Sequence, residues 1–148
     1  ASLAGLSSVP GSSAYCVSKH GVVTLSECLH HELAQEPADI GVSVLCPAFV
    51  PTSIAESDRH RPGVGDSSDT GETTTPYAEQ LRQAVEAGRL SADDIARLTI
   101  NAVKTGDFYI LPHGAARKSV AMRAEDIIDG KLPRDPAGGM FTHKIPGS

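Results

Sequence analysis

The sequence has few aromatic residues, no tryptophan, and no apolar run near the ~20 residues that a membrane-spanning helix requires. It has no excess of basic charge either: the net charge is −5 and the isoelectric point about 5.6. Both values argue against nucleic acid or an anionic membrane as the main partner. The 148 residues are 40% hydrophobic, which is typical of a globular domain. Because the first residues do not resemble a signal peptide, we expect a cytoplasmic location.

Cysteine is also scarce. The three cysteines, Cys16, Cys28 and Cys46, are widely spaced and lie in apolar segments, so we expect buried free thiols in a reducing compartment. The six histidines show no metal-ligand spacing, and we expect no metal site.

Residues that begin and end helices divide the chain into segments. Ser12 or Ser13 can cap a first helix that Pro37 stops, while Gly106 and Gly130 are typical helix-ending residues. The predicted helices cover about 14–36, 77–87, 91–104 and 115–129.

The first predicted helix has two distinctive faces. An amphipathic stripe recurs at three- and four-residue spacing and consists of Val22, Leu25, Leu29 and Leu33. A face of small residues could permit close helix–helix approach within the fold or between subunits, and it consists of Val17, Gly21, Thr24 and Cys28.

Two β-branched or aromatic apolar runs, Val42–Cys46 and Phe108–Leu111, read as buried strands. Alternation of helices and strands predicts an α/β fold with parallel strands. Two strands cannot make a stable sheet covered on both faces. We therefore expect the C-terminal part of a larger, doubly wound parallel sheet whose N-terminal half is missing. Residues 1–130 would form this part of the domain, with a lid at about 53–90, followed by a poorly ordered tail at 131–148.

Tyr15 and Lys19 are four residues apart, so their side chains share one face of the first helix. An ammonium beside a phenol stabilises the phenolate, and such a tyrosine can exchange a proton at neutral pH. The alternative is a tyrosine that packs beside a lysine stem. Ligands of open α/β sheets bind beyond the carboxyl ends of the strands, where residues 47–52 lie. Ser2 would lie at the same edge if a strand precedes it.

Taken together, these residues resemble the short-chain dehydrogenase/reductase family. Ser2 stands thirteen residues before Tyr15, as the family's serine stands before its tyrosine, and residues 15–19 match its Tyr-x-x-x-Lys motif. Residues 47–52, Pro-Ala-Phe-Val-Pro-Thr, resemble its Pro-Gly-x-Val-x-Thr segment, with Ala48 where glycine is usual. The resemblance covers about residues 1–130 and implies a Rossmann-like fold.

The resemblance implies an NAD(P)-dependent oxidoreductase that interconverts an alcohol and a ketone or aldehyde by hydride transfer. Tyr15 would be the general acid/base. Lys19 would favour its phenolate form and hydrogen-bond the nicotinamide ribose. Ser2 would hydrogen-bond the substrate oxygen.

The resemblance also implies where the ligands lie. The cofactor-binding residues would be Tyr15, Lys19, Pro47, Ala48, Val50 and Thr52. The residues that flank the lid could line the substrate pocket or could be ordinary packing, and they are Phe49, Ile54 and Tyr77. The cofactor is NAD or NADP, because the family's Gly-x-x-x-Gly-x-Gly turn and the residue that selects between them are not in this sequence. The implied partners are a small-molecule alcohol or carbonyl compound and further copies in a homodimer or homotetramer.

A second hypothesis is a truncated or degenerate, non-catalytic fragment that acts only as an interaction or oligomerisation module. Titration of the 148-residue chain with NADH and NADPH distinguishes the two, and we expect no binding by this chain alone. A hydrolase is disfavoured because the sequence contains no Gly-x-Ser-x-Gly elbow.

Overall fold

A computed structural model describes residues 1–37, 39–50 and 90–136 of the chain. The described elements are a 3-10 turn at Leu3–Gly5, α1 at Ser13–Leu33, β1 at Val44–Leu45, α2 at Ala92–Thr105, β2 at Tyr109–Ile110 and α3 at Gly114–Ile128. The chain divides into two compact units, one made of Ala1–Ala48 with Asp93–Ser148 and the other of Phe49–Ala92. The helix predicted at 77–87 and nearly all of the predicted lid lie outside the described residues.

The two strands pair in parallel, with Val44 opposite Tyr109 and Leu45 opposite Ile110. Two hydrogen bonds join β1 and the residue after it to the β2 segment. The Val44 N–H donates to the Phe108 carbonyl at 2.7 Å, and the Cys46 N–H donates to the Ile110 carbonyl at 2.9 Å. Parallel strands joined through a helix confirm the predicted α/β class. The prediction of a missing N-terminal half stays a prediction.

The core lies between β1 and one side of α1. Val23, Val44 and Cys46 are buried together, and the partly buried Leu6, Phe108 and Leu111 pack against them. The predicted stripe on α1 is not the buried side, because Val22, Leu25 and Leu29 are 41%, 69% and 43% exposed. The buried residues of α1 are Cys16 and Val23, which lie around the helix from that stripe.

The cysteines also divide into buried and exposed residues. All three are free, as predicted, and Cys16 and Cys46 are buried. The prediction is wrong for Cys28, which is exposed because its side of α1 does not face the strands. Burial raises the pKa of the Cys46 thiol.

Glycines end two of the helices as the sequence predicts. Gly106 follows α2 with φ 76° and Gly130 follows α3 with φ 62°, a left-handed conformation that glycine adopts without steric cost. After α3, the Lys131 N–H donates to the Asp126 carbonyl at 2.9 Å and the Gly130 N–H to the Ile127 carbonyl at 3.4 Å, which is a Schellman motif. The glycines therefore satisfy carbonyls that the helix ends would leave unpaired.

The segment after α3 contacts the end of that helix through hydrogen bonds from Arg134 to Asp126. Its backbone N–H and its Nε donate to the two oxygens of Asp126 at 3.0 and 2.7 Å. Asp126 is only 4% exposed, and its pKa is lowered, first by the backbone hydrogen bond from Arg134 and further by the guanidinium. Residues 137–148 of the predicted tail lie outside the described residues. Across the described ranges, no helix has both the length and the hydrophobicity needed to cross a bilayer.

Candidate active site

Tyr15 and Lys19 lie in the first two turns of α1, on a face next to the buried one. Because Cys16 and Val23 turn towards the core, their neighbours Tyr15 and Lys19 lie at its edge. The Lys19 Nζ lies over the Tyr15 ring, 5.2 Å from its centroid, a distance at which a cation is attracted to the ring face. The Tyr15 side chain is 44% exposed.

Within the described residues, neither the Tyr15 hydroxyl nor the Lys19 ammonium makes a hydrogen bond to the protein. The local helix bonds involve other atoms, such as the Ser18 Oγ, which donates to the Tyr15 carbonyl at 2.7 Å. A phenol hydroxyl and an ammonium that lie at one edge of the core, with no hydrogen bond to the described residues, can bind a polar ligand.

Ser2 precedes the 3-10 turn and caps it. Its Oγ accepts a hydrogen bond from the Ala4 N–H at 3.2 Å, which leaves the hydroxyl hydrogen available for donation. Because the capping bond restricts the side chain, the hydroxyl has a defined position before a ligand binds.

Gly5 brings the turn that carries Ser2 against α1 at the level of Lys19. A Cβ at Gly5 would lie 2.6 Å from the Lys19 carbonyl oxygen and 2.9 Å from Val23 Cγ2. Only a residue without a Cβ permits this approach. The 3-10 turn and the Tyr15–Lys19 end of α1 are therefore packed backbone to backbone.

The peptide unit between Pro47 and Ala48 follows β1 at its carboxyl end. The Pro47 carbonyl accepts a hydrogen bond from the Leu3 N–H at 2.8 Å, so this peptide joins the segment that carries Ser2. The Ala48 N–H donates to the His113 Nδ1 at 3.1 Å. Every described residue with positive φ is a glycine, so alanine at position 48 causes no backbone strain.

The remaining predicted residues are not placed at this site. Phe49 and Val50 are half-buried and belong to the second compact unit. Thr52, Ile54 and Tyr77 lie outside the described residues, as does Pro51.

Gly5 and His113 are the site residues that sequence reasoning did not find. His113 lies two residues after the second apolar run, 108–111. The rule that ligands bind beyond the carboxyl ends of strands, which selected Pro47, therefore also applies to it. Gly5 lies three residues after Ser2, but a lone glycine in a loop gives no specific signal.

The donor groups fit the nicotinamide riboside part of a dinucleotide together with a carbonyl substrate. The Lys19 ammonium can donate to ribose hydroxyls, and the hydroxyls of Tyr15 and Ser2 can donate to a substrate oxygen. The Ala48 N–H is already bonded to His113, so it is not a free donor for the carboxamide. Within the described ranges, no group of three or more His, Cys, Asp or Glu side chains could hold a metal ion.

Comparisons with known proteins identify the family. A family model described as short chain dehydrogenase matches residues 1–63. The CLA biosynthesis dehydrogenase/reductase of Lactiplantibacillus plantarum is 30% identical over 136 residues, which are 90% of this chain and 48% of that protein. The 15-hydroxyprostaglandin dehydrogenase (NAD(+)) of Mus musculus is 29% identical over 104 residues, which are 70% of this chain and 36% of that protein.

A solved structure is similar over nearly the whole chain. It is a short chain dehydrogenase/reductase from Burkholderia phymatum in complex with NAD, with a TM-score of 0.83 and 43% sequence identity. The match covers 92% of this chain and 49% of that one. The chain thus spans about half the length of these two relatives, the bacterial CLA enzyme and the solved structure.

The parallel α/β core and the likeness to the solved structure define a Rossmann-like fold class. Within that class, this chain belongs to the short-chain dehydrogenase/reductase family.

Proposed function

We propose that the protein containing this chain is an NAD(P)-dependent oxidoreductase that interconverts an alcohol and a ketone or aldehyde. The observation that carries the proposal is the Lys19 ammonium over the Tyr15 ring, at the end of α1 that packs on the turn of Ser2. Neither the hydroxyl nor the ammonium hydrogen-bonds another of the described residues. The substrate is a small-molecule alcohol or carbonyl compound.

In the proposed reaction, a bound dinucleotide supplies the hydride to the carbonyl carbon or accepts it from the alcohol carbon. The Tyr15 hydroxyl gives a proton to the carbonyl oxygen during reduction and takes one from the alcohol during oxidation. One hydride and one proton are therefore added or removed in each turnover, which balances the reaction.

Lys19 and Ser2 support that proton transfer. The positive charge of Lys19 stabilises the phenolate that Tyr15 becomes after it gives up its proton. The Ser2 hydroxyl donates a hydrogen bond to the substrate oxygen, where negative charge develops. Because the turn of Ser2 packs on α1 through Gly5, the backbones that carry Ser2 and Lys19 are in direct contact.

The proposed cofactor is NAD or NADP. The similar Burkholderia phymatum protein was solved in complex with NAD, and membership of the same family supports a dinucleotide here. Lys19 would hold the nicotinamide ribose, and the segment with Pro47, Ala48, Val50 and Thr52 would hold the nicotinamide. Assembly as a homodimer or homotetramer is also part of the proposal, supported by the exposed Val17 and Leu25 on α1.

The test is Tyr15→Phe in the full-length protein that contains this chain. Removing one hydroxyl deletes the acid/base group, so we expect kcat to fall by about 10²–10⁴-fold. The Kd for NADH or NADPH, followed by nicotinamide fluorescence, should change little.

The matched control is Tyr109→Phe, which removes a hydroxyl from an equally exposed tyrosine that hydrogen-bonds Glu27. This variant should turn over at nearly the wild-type rate. Normal turnover of Tyr15→Phe would overturn the assignment of Tyr15, and equal losses in both variants would point to a general structural effect.

A further inference from the structure

One peptide unit at the candidate site is fixed at both of its polar ends. The Pro47 carbonyl is held by the Leu3 N–H at 2.8 Å, and the N–H of the same unit, that of Ala48, is held by the His113 Nδ1 at 3.1 Å. The first bond comes from the segment that carries Ser2, and the second comes from the residue that precedes α3. Together they set the plane of the peptide that follows β1.

The His113 side chain does not make the capping hydrogen bond that its position at the start of α3 would predict. It is the N-cap of α3, a position that favours Ser, Thr, Asp or Asn because their side chains bond the first-turn amides. The His113 carbonyl accepts the Ala116 N–H at 2.9 Å, but its ring makes no capping bond. The ring instead reaches Ala48, 65 residues earlier in the chain. Capping therefore does not explain a histidine here.

The protonation state of the ring follows from this bond. Since Nδ1 accepts an N–H, it carries no hydrogen, and the neutral ring carries its hydrogen on Nε2. The Nε2 atom is buried and makes no hydrogen bond in the described part of the chain. A buried donor without a partner costs free energy, so an apolar ring of the same shape would satisfy packing better. What the imidazole adds is the acceptor for Ala48.

We propose that His113 is a positioning residue for dinucleotide binding, which acts by holding the Pro47–Ala48 peptide through its Nδ1. The proposal rests on the proposed function, because it takes this peptide as part of the nicotinamide-binding segment. His113 touches neither cofactor nor substrate in this role. Its effect is that the peptide has its bound orientation before the dinucleotide arrives, which lowers the cost of binding.

Three substitutions separate the acceptor from the shape of the ring. His113→Asn keeps an acceptor, its Oδ1, at about the place of Nδ1. His113→Gln moves its polar atoms one carbon further, towards the place of Nε2. His113→Phe keeps a ring and removes both nitrogens. Asn and Gln differ by one methylene, so they are the matched pair if the Phe variant folds poorly.

Two measurements on the full-length protein read the result. NADH and NADPH are first titrated into the wild-type protein by nicotinamide fluorescence. The dinucleotide with the lower Kd is then used for all variants. We expect the Gln and Phe variants to raise its Kd about tenfold, and the Asn variant to stay within about threefold of wild type. Hydrogen exchange at the Ala48 amide, followed by mass spectrometry with fragmentation, should speed up in the same two variants and not in Asn.

Each outcome has a distinct meaning. A Kd that rises as much for Asn as for Phe, or slow exchange at Ala48 in the Phe variant, overturns the role of Nδ1. Tyr15→Phe provides the independent marker, since it should lose turnover and keep cofactor affinity. Normal turnover of Tyr15→Phe with an acceptor-dependent His113 series would defeat the proposed chemistry and keep the positioning role. If the Kd is the same for all His113 variants and Tyr15→Phe is inactive, the positioning role is overturned and the proposed chemistry is kept.

Discussion

Near each end of α1 a tyrosine has a charged neighbour, and the two neighbours have opposite signs. At the first end, the ammonium of Lys19 lies over the Tyr15 ring. Towards the other end, Glu27 accepts a hydrogen bond of 2.6 Å from the hydroxyl of Tyr109, which belongs to β2. The exposed fractions are nearly equal, 44% for Tyr15 and 47% for Tyr109. Exposure therefore does not distinguish the proposed proton-transfer tyrosine from the structural one.

The charge of the neighbour does distinguish them. The hydrogen bond to Glu27 raises the pKa of Tyr109 to about 12, with burial and the charge of Glu27 acting in the same direction. A phenol in that setting keeps its proton and ties α1 to the sheet. A phenol beside an ammonium is in the setting that a proton-transfer group requires. The two tyrosines thus differ in the sign of the charge beside the phenol, and the proposed function assigns proton transfer to the one beside the ammonium.

Removing the charge at the first end should have the largest effect after the loss of the Tyr15 hydroxyl itself. Lys19→Met keeps an unbranched side chain of similar length and removes the ammonium that lies over the ring. We expect kcat to fall by about 10²-fold or more, because the phenolate is no longer stabilised, and the dinucleotide Kd to rise.

Steady-state kinetics and fluorescence titration measure both quantities for Lys19→Met. Lys104→Met, on the exposed last turn of α2, is the control for loss of one positive charge. Equal effects of the two substitutions would mean that net charge, rather than the Tyr15–Lys19 contact, governs activity.

The close contact of Gly5 offers a test of how the first end is held. Gly5→Ala puts a Cβ against the Lys19 backbone, which cannot rotate away as a side chain would. We expect the free energy of unfolding to fall by about 1–3 kcal/mol, and turnover to fall because Ser2 and Lys19 are displaced.

Gly21→Ala is the matched control within α1, since a Cβ there meets nothing within 4 Å. It should raise the free energy of unfolding by about 0.5–1 kcal/mol through helix propensity. Denaturant unfolding measures both variants. A Gly5→Ala protein as stable as Gly21→Ala would show that the turn does not pack tightly on the helix.

The smallest expected effect concerns Tyr109 and appears only at alkaline pH. Its pKa of about 12 in the folded state lies above the ordinary value of 10.0. The stability that the neutral phenol contributes is therefore fully present below pH 10 and is lost as the pH rises towards 12. Phenolate absorbance measures the titration, and the difference from Tyr109→Phe assigns it.

Glu27→Gln should move the pKa of Tyr109 down towards about 10, because the amide oxygen accepts a hydrogen bond without a negative charge. A pKa that stays near 12 in this variant would mean that burial, rather than Glu27, holds the proton.

The helix and strand positions were largely predictable from local signals. Gly106 and Gly130 end α2 and α3 as expected, because a residue that adopts positive φ is needed there. The two apolar runs do form the paired strands, and a hydrogen bond from Leu3 to Pro47 joins the segment of Ser2 to the segment after β1. The catalytic and binding roles of these residues stay predictions.

Which side of α1 is buried could not be predicted from spacing. The stripe with Leu25 has the correct period, yet the close approach of Gly5 to Lys19 and Val23 turns a different side towards β1. Rotation of a helix about its axis is decided by tertiary contacts of this kind. The bond between Ala48 and His113 was missed for a related reason, because it joins residues 65 positions apart and follows no motif.

Arg134 has a consequence for the electrostatics of α3. The last turn of this helix carries Glu125 and Asp126 and no basic residue, although the negative end of a helix macrodipole disfavours carboxylates. The guanidinium of Arg134 donates to both carboxylates and, at 3.1 Å, to the Met122 carbonyl. A residue beyond the helix thus supplies the cation that its last turn lacks. The favourable dipole interaction of α3 depends on the path of the chain after it rather than on the helix itself.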